Sequence, residues 1–188
     1  MGTSAYAAEN SKGKAEKATL AGGCFWCMQP VFDKLEGVLS TTVGYTGGVT
    51  PRPTYEQVST GRTGHAEAIE VIYNPQKISY AELLDHFWRS IDPTDPRGQF
   101  ADKGSQYRTA VFYHDDTQKR LAQESKEKLA QSGKFERSIA TEIVPASEFF
   151  PAEGYHQKYY VKNAGHYALY KTGSGREGFL KKLWGKER

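Results

Sequence analysis

The sequence predicts an α+β fold, a two-layer sandwich in which helices pack on a central mixed β-sheet. The main observation is the order of predicted elements, β-α-β-β-α-β-α-β, which begins with the βαββαβ order of a ferredoxin-like core and leaves an irregular C-terminal segment. The composition agrees, because 19 Gly, 12 Tyr and 9 Phe among 188 residues do not suit a coiled coil or a helical array. A turn-rich mixed domain accounts for both observations.

The first half of the chain combines strands, turns and one amphipathic helix. Apolar residues at steps of three and four from Phe25 predict the helix, with Pro30 in or near its first turn. The stretch 50–63 holds Pro and Gly turn signals and is predicted to be mostly loop. Short apolar or β-branched runs predict strands over 18–21, 38–44 and 66–73.

A capping box predicts where the next helix begins. Ser79-Tyr80-Ala81-Glu82 has the residues of that motif, and the helix is expected to stop before Asp92-Pro93. Residues 92–105 form a polar loop of a length that is usually functional or disordered. The later predictions are strands over 106–113 and 138–144, a helix over 116–132, and short helices over 156–162 and 176–184.

The length of 188 residues fits one domain that can bury a core without disulfides. We expect residues 1–17 to be a disordered N-terminal tail, because they are polar and lack an apolar period, and residues 18–188 to form the domain. Ala5-Tyr6-Ala7 resembles a signal-peptide cleavage site, but no apolar segment precedes it. Residues 1–8 are therefore the remnant of an export signal or an ordinary tail, so a cytoplasmic or a periplasmic location stays open.

Several classes of function are excluded by charge and composition. Lys and Arg (25) exceed Asp and Glu (22) by only three, which is too little to predict binding to nucleic acid or to an anionic membrane. No apolar run is long enough to span a membrane, and no apolar stripe is left over, so we expect a monomer. The two cysteines cannot complete a four-thiolate zinc site, and the five histidines are not paired at helical spacing, so we predict no metal site.

The cysteine pair is the most informative motif. In Gly22-Gly23-Cys24-Phe25-Trp26-Cys27, a strand runs through two glycines into a helix, which places Cys24 at the helix N-terminus. Free N–H groups and the helix dipole there are expected to lower the pKa of the Cys24 thiol. Cys27 lies on the same side of the first turn and is a candidate resolving thiol. The alternatives are two buried cysteines that act as small apolar residues, or metal binding with histidines.

Other side chains suggest what the thiol attacks. Phe25 and Trp26 flank it, and they are either core residues or the wall of a pocket for an apolar group. A thiolate can attack a disulfide, a carbonyl or a sulfoxide, and the sulfoxide oxygen leaves only if it is protonated. Glu67, between two alanines on a predicted strand, is a candidate neutral acid if burial raises its pKa, and otherwise lies on a solvated face. Tyr55 and Tyr107 could supply hydroxyl groups.

The chain resembles the A-type peptide methionine sulfoxide reductases from Thr19 to about Tyr160. The resemblance rests on an ordered set of separated segments, which is far more specific than a lone CxxC motif. The matching segments are Gly23-Cys24-Phe25-Trp26, Gly44-Tyr45-Thr46-Gly47-Gly48, Pro53-Thr54-Tyr55, Thr63-Gly64-His65-Ala66-Glu67-Ala68, Phe87-Trp88, Asp92-Pro93, Asp102-Lys103-Gly104-Ser105-Gln106-Tyr107-Arg108 and Thr141-Glu142-Ile143.

The resemblance implies that residues 18–188 form a single catalytic reductase domain that repairs proteins after oxidative stress. It implies that Cys24 attacks the sulfoxide sulfur, that Glu67 protonates the oxygen, and that Tyr55 and Tyr107 hold it. It also implies that Phe25 and Trp26 form a pocket for the substrate's methyl group, and that the Asp102 carboxylate orients bound groups and water. The implied substrate is the S epimer of methionine sulfoxide, free or in proteins, and the reaction passes through a sulfenic acid to a disulfide.

One departure from the family pattern concerns the cysteine that resolves the sulfenic acid. Many members carry resolving cysteines near the C-terminus, whereas this chain has none after Cys27. Cys27 is then the candidate for a disulfide with Cys24, which a thioredoxin-like protein, or dithiothreitol in vitro, would reduce without any bound cofactor. Two rival functions stay open: a general thiol–disulfide oxidoreductase, and a peptide-binding module whose cysteines form a local disulfide.

Overall fold

The computed structural model describes residues 14–185 of the chain. Eight strands are present in this range: β1 Glu16–Gly22, β2 Val38–Thr46, β3 Ala66–Tyr73, β4 Gly98–Gln99, β5 Asp102–Lys103, β6 Thr109–Tyr113, β7 Glu142–Pro145 and β8 Phe150–Pro151. The helices of the same range are α1 Phe25–Asp33, α2 Tyr55–Ser59, α3 Tyr80–Trp88, α4 Asp116–Gln131, α5 Tyr159–Lys162, α6 Ala164–Gly173, α7 Arg176–Trp184 and a 3-10 turn, Ser105–Tyr107.

The central sheet has six strands in the order β7-β6-β1-β3-β2-β8. β6 and β7 are parallel and the other neighbouring pairs are antiparallel, so the sheet is mixed. The four inner strands, β6-β1-β3-β2, have the order that a βαββαβ chain adopts in a ferredoxin-like core. The predicted α+β fold is confirmed.

The two faces of the sheet differ in the size of their side chains. On β3, Ile69, Val71 and Tyr73 point into the main core, whereas Ala66 and Ala68 belong to a second cluster on the other face. Because side chains alternate along a strand, Glu67 lies on the same face as Ile69. That face is covered by α1 and α3, which contribute buried aromatic and aliphatic residues to the main core. The strand therefore directs Glu67 towards the N-terminus of α1.

Several elements were predicted with the right type but different bounds. β1 begins at Glu16, inside the predicted tail, because Glu16 and Lys17 pair with β3. Residues 1–13 of that tail lie outside the described residues. Pro30 is the sixth residue of α1 and not in its first turn. The capping box at Ser79 is present, with Ser79 and Glu82 bonded reciprocally.

Other elements were not predicted. The stretch 50–63 contains α2, and a second capping box, formed by Thr54 and Gln57, lies at the start of this helix. The polar loop 92–105 contains the β4–β5 hairpin. The C-terminal segment, predicted to be irregular apart from two short helices, also forms β8 and α6. Between residues 14 and 185, none of the helices combines the length and apolar character that a membrane span needs.

We expect Gly23→Ala to lower the free energy of unfolding by about 2–4 kcal/mol. Gly23 has φ +81°, and an added Cβ would lie 2.5 Å from the Cβ of Gln99. Chemical denaturation of the two proteins measures the difference. Gly178→Ala is the control, because Gly178 lies in α7 with nothing within 4 Å of an added Cβ. It should gain roughly 0.5–1 kcal/mol, and equal losses at both positions would contradict the prediction.

Candidate active site

The thiol pair lies where β1 meets α1. Cys24 is the N-cap of α1 and its side chain makes no capping bond, so the sulfur is not bound to the helix end. The Cys27 N–H donates to the Cys24 carbonyl over 3.0 Å, which closes the first turn and holds both side chains near each other. Both thiols are free, and Cys24 and Cys27 are only 6% and 5% exposed.

The ionisation of the pair differs from the expectation for Cys24. Burial, then the hydrogen bond with Cys27 and the charge of Glu67, raise the pKa of Cys24 well above its ordinary value. The same hydrogen bond, helped by the charge of Arg176, lowers the pKa of Cys27 to about 7. The prediction of a lowered pKa at Cys24 is therefore wrong for this closed site, because desolvation outweighs the helix dipole.

Glu67 lies at the centre of the site. It is on β3 opposite Tyr45 of β2, 3% exposed, and its Oε2 accepts a hydrogen bond from the Phe25 N–H over 3.0 Å. Burial raises the pKa of Glu67 to about 8, against the opposing effect of the bond from Phe25, and the charges of Asp102 and Cys27 add to the rise. The direction agrees with the expectation of a raised pKa, and Glu67 is mostly protonated at pH 7.

Two tyrosines, one from α2 and one from the 3-10 turn, interact electrostatically with Glu67. Tyr55 is the first residue of α2, and its N–H donates to Glu153 Oε1 over 2.8 Å, while Tyr107 ends the 3-10 turn instead of starting a strand as predicted. Burial and the charge of Glu67 raise the pKa of both tyrosines. Both hydroxyl groups therefore keep their protons and can donate to an oxygen near Glu67.

Asp102 approaches the site from the β4–β5 hairpin. Its carboxylate accepts a hydrogen bond from the hydroxyl of Tyr170 on α6, and its charge contributes to the raised pKa of Glu67. The structure therefore brings together Cys24, Cys27, Tyr55, Glu67, Asp102 and Tyr107, whose separation in sequence reaches 83 residues from Cys24 to Tyr107.

Phe25 and Trp26 have different environments. Phe25 is buried in the main core, with its ring 5.1 Å from that of His156. Trp26 is half-buried at the edge of the core, stacks on Tyr159 at 3.9 Å, and donates its indole N–H to His156 Nδ1 over 3.0 Å. Phe25 is thus a core residue, whereas Trp26 lies at the edge of the core against Tyr159 and His156.

The C-terminal segment contributes residues that no sequence motif indicated: His156, Tyr159, Tyr170 and Arg176. Arg176 of α7 is buried and donates to the carbonyls of Gly22 and Ser90, over 3.0 and 2.6 Å, which fixes the chain just before Cys24. The tyrosines were not found because each is one of twelve. A buried histidine and arginine near the chain end give no local periodic signal.

No candidate metal site exists among the residues that the structure describes: no cluster of three or more His, Cys, Asp or Glu side chains can hold an ion. A groove of about 560 Å³ lies elsewhere, between α7 and residues 134–137, and includes Phe135, Arg137 and Phe179. The thiols, the protonated carboxyl and the phenols do not line it. The candidate active site is therefore the closed cluster at the N-terminus of α1.

The fold and the site together define an enzyme of cysteine-based redox chemistry. The family model described as peptide methionine sulfoxide reductase matches residues 16–188. The chain is 54% identical over 172 residues to the peptide methionine sulfoxide reductase MsrA of Bacillus subtilis, which covers 92% of this chain and 97% of that protein. The chain belongs to the peptide methionine sulfoxide reductase family.

Solved structures agree with this assignment. The reduced form of Mxr1 from Saccharomyces cerevisiae aligns with a TM-score of 0.76 at 36% identity, over 84% of this chain and 90% of that one. Mxr1 in complex with Trx2 aligns with a TM-score of 0.56 at 27% identity, over 82% of this chain and 91% of that one.

We expect Glu67→Gln to stabilise the fold above pH 5. The folded protein keeps Glu67 protonated up to about pH 8, whereas the unfolded chain ionises it near pH 4.5, so the native carboxyl costs stability as pH rises through that window. The gain should be roughly 3 kcal/mol at pH 7 and less than about 1 kcal/mol at pH 4.5. Urea denaturation from pH 4.5 to 8 measures it.

Glu70→Gln is the matched control for this experiment. Glu70 lies on the same strand, but it is partly exposed and paired with Lys17 over 2.9 Å. Loss of the Glu70 charge should change the free energy of unfolding by less than about 1 kcal/mol. A Glu67→Gln effect that does not grow with pH would mean that the carboxyl is ionised in the native protein.

Proposed function

We propose that the protein reduces the S epimer of methionine sulfoxide, free or within proteins, to methionine, and thereby repairs oxidised proteins. The observation that carries this proposal is the buried Glu67, neutral at pH 7 and hydrogen-bonded to the first N–H of the helix that bears both thiols. A sulfoxide is the thiol substrate that requires an acid of this kind, because its oxygen leaves only after protonation.

In the first step, Cys24 attacks the sulfoxide sulfur. Its proton passes to Cys27, whose pKa of about 7 leaves part of it as thiolate to accept the proton. Glu67 protonates the oxygen while Tyr55 and Tyr107 donate hydrogen bonds to it. The attack forms a bond between the Cys24 sulfur and the substrate sulfur. This bond and the sulfur–oxygen bond of the substrate then break as the protonated oxygen transfers to the Cys24 sulfur. Cys24 becomes a sulfenic acid and methionine leaves with the electron pair of the sulfur–sulfur bond, so the two electrons gained by methionine come from Cys24.

In the second step, Cys27 attacks the sulfenic sulfur of Cys24. A sulfur–sulfur bond forms and the hydroxyl leaves as water, taking a proton from Cys27 or from its surroundings. Cys27 is one helical turn from Cys24, and its N–H donates to the Cys24 carbonyl, which supports its role as the resolving thiol. The overall reaction converts one sulfoxide and two thiols into one thioether, one disulfide and one water.

The disulfide must be reduced by an external dithiol before the next cycle. The crystal structure of the related Mxr1 in complex with Trx2 supports a thioredoxin as that partner. Dithiothreitol should replace it in vitro, because both reagents act by thiol–disulfide exchange. Since the electrons come from thiols throughout, the proposed cycle needs no bound cofactor or metal.

We expect Glu67→Gln to reduce sulfoxide turnover at least about 100-fold, the effect typical of a lost general acid. Reduction of a small disulfide by the same variant should change by less than about threefold, because the thiolate leaving group needs no proton. Glu70→Gln should leave both rates unchanged. Equal losses of both activities in Glu67→Gln would favour a general thiol–disulfide oxidoreductase instead.

We expect about one mole of methionine per mole of wild-type protein in a single turnover without reductant, with loss of both free thiols, because one disulfide stores two electrons. The S epimer should react and the R epimer should not. Cys27→Ser should release methionine in the same amount but leave a sulfenic acid, detected by a dimedone adduct on Cys24. Absence of methionine from the wild type would indicate a binding module, and retention of both thiols would exclude Cys27 as the resolving residue.

A further inference from the structure

α6 lies against the thiol pair but is attached through few side chains. Of its ten residues, seven are exposed, and only Tyr167, Tyr170 and Lys171 are partly buried. At its C-terminal end, Gly173 and Gly175 have open space around them, and Gly175 has φ +80°. A helix that buries no apolar side chain and ends at two glycines can separate from the core at low cost.

The two tyrosines of α6 lie on the side of the helix that faces the thiol pair. Tyr167 interacts electrostatically with Cys27, and Tyr170 with Cys24. Tyr170 also donates its hydroxyl proton to the Asp102 carboxylate, and its ring meets the edge of Trp26 at 5.9 Å with an interplanar angle of 84°. One side chain therefore bonds the acidic residue of the hairpin, packs against the Trp26 ring and lies in the electrostatic environment of Cys24.

These three groups are the ones that a methionine sulfoxide side chain has to reach. Cys24 is almost fully covered in this arrangement, so the substrate's methyl-sulfur group cannot lie beside it while the phenol stays in place. We propose that Tyr170 occupies the substrate position in the resting enzyme and must be displaced by the substrate, which makes it a determinant of substrate affinity. This inference rests on the function proposed above, because that function defines where the substrate binds.

The consequence is a lower apparent affinity for small substrates. A substrate binds only the fraction of molecules in which Tyr170 has left Cys24 and Asp102, and its apparent dissociation constant rises in proportion. The bound phenol also limits access of other reagents to Cys24 between turnovers. Tyr170 is thus a positioning residue that competes with the substrate and takes no part in the bond changes.

We expect Tyr170→Ala to lower the KM for free methionine S-sulfoxide by roughly tenfold, with kcat changed by less than about twofold, because the competing hydrogen bond to Asp102 and the ring contact with Trp26 are lost. The same variant should react roughly tenfold faster with iodoacetamide at Cys24, measured by mass spectrometry of the reduced protein. Tyr170→Phe keeps the ring against Trp26 and should lower KM by about threefold. Far-UV circular dichroism checks that both variants fold.

Tyr160→Phe is the matched control. Tyr160 loses a hydroxyl that bonds Asp33 over 2.6 Å on α1, away from the sulfur atoms, so KM and alkylation should be unchanged. A KM that rises in both Tyr170 variants, or alkylation that does not change, would overturn the proposal. Alkylation involves no sulfoxide, so faster alkylation in proteins that reduce no sulfoxide would refute the proposed function and leave the cover over Cys24 established.

Discussion

The hydrogen bond from the Phe25 N–H to Glu67 connects the sheet, the helix and the chemistry of this protein. It satisfies a free donor at the N-terminus of α1 and ties that helix to β3. An ionised carboxylate would bind the helix end more strongly, yet burial on the core face of the sheet keeps Glu67 protonated at neutral pH. The fold thus uses a structural bond to hold an acid in a low-dielectric position beside the thiols.

The C-terminal segment completes the site around this pair. Glu153 accepts hydrogen bonds from the Tyr45 hydroxyl and the Tyr55 N–H, both 2.8 Å long, which joins β2 to the start of α2. His156, whose pKa is lowered by burial, accepts the indole N–H of Trp26 and contacts the ring of Tyr55. Residues near the C-terminal end of the chain therefore hold the side chains around the first helix in place.

The sequence predicted the parts of the fold that local signals specify. β3 was predicted with its exact bounds, because a β-branched run ends at Asn74-Pro75, and α3 followed from its capping box. α2 has its own capping box but only five residues, too few for an apolar period. α6 was missed because it buries no residue.

The residues of the candidate site fall into the same two groups, those that local sequence signals indicate and those that they do not. The motif residues could be selected because the cysteine pair and the family segments are contiguous in sequence. Tyr170 and His156 could not, since their partners lie 68 and 130 residues away. Such contacts depend on tertiary packing, and no spacing rule in a single sequence reports them.

The ionisation of the thiols shows which of two opposing effects prevails. A helix N-terminus favours a thiolate by about 0.3–2 kcal/mol, whereas removing a charge from water costs several kcal/mol. At Cys24 the second effect is larger, and the pKa is raised. At Cys27 a hydrogen bond and the charge of Arg176 reverse the balance. Cys24 is therefore kept as a thiol at neutral pH, which limits its oxidation by other reagents, and in the mechanism proposed above Cys27 is the group that accepts its proton.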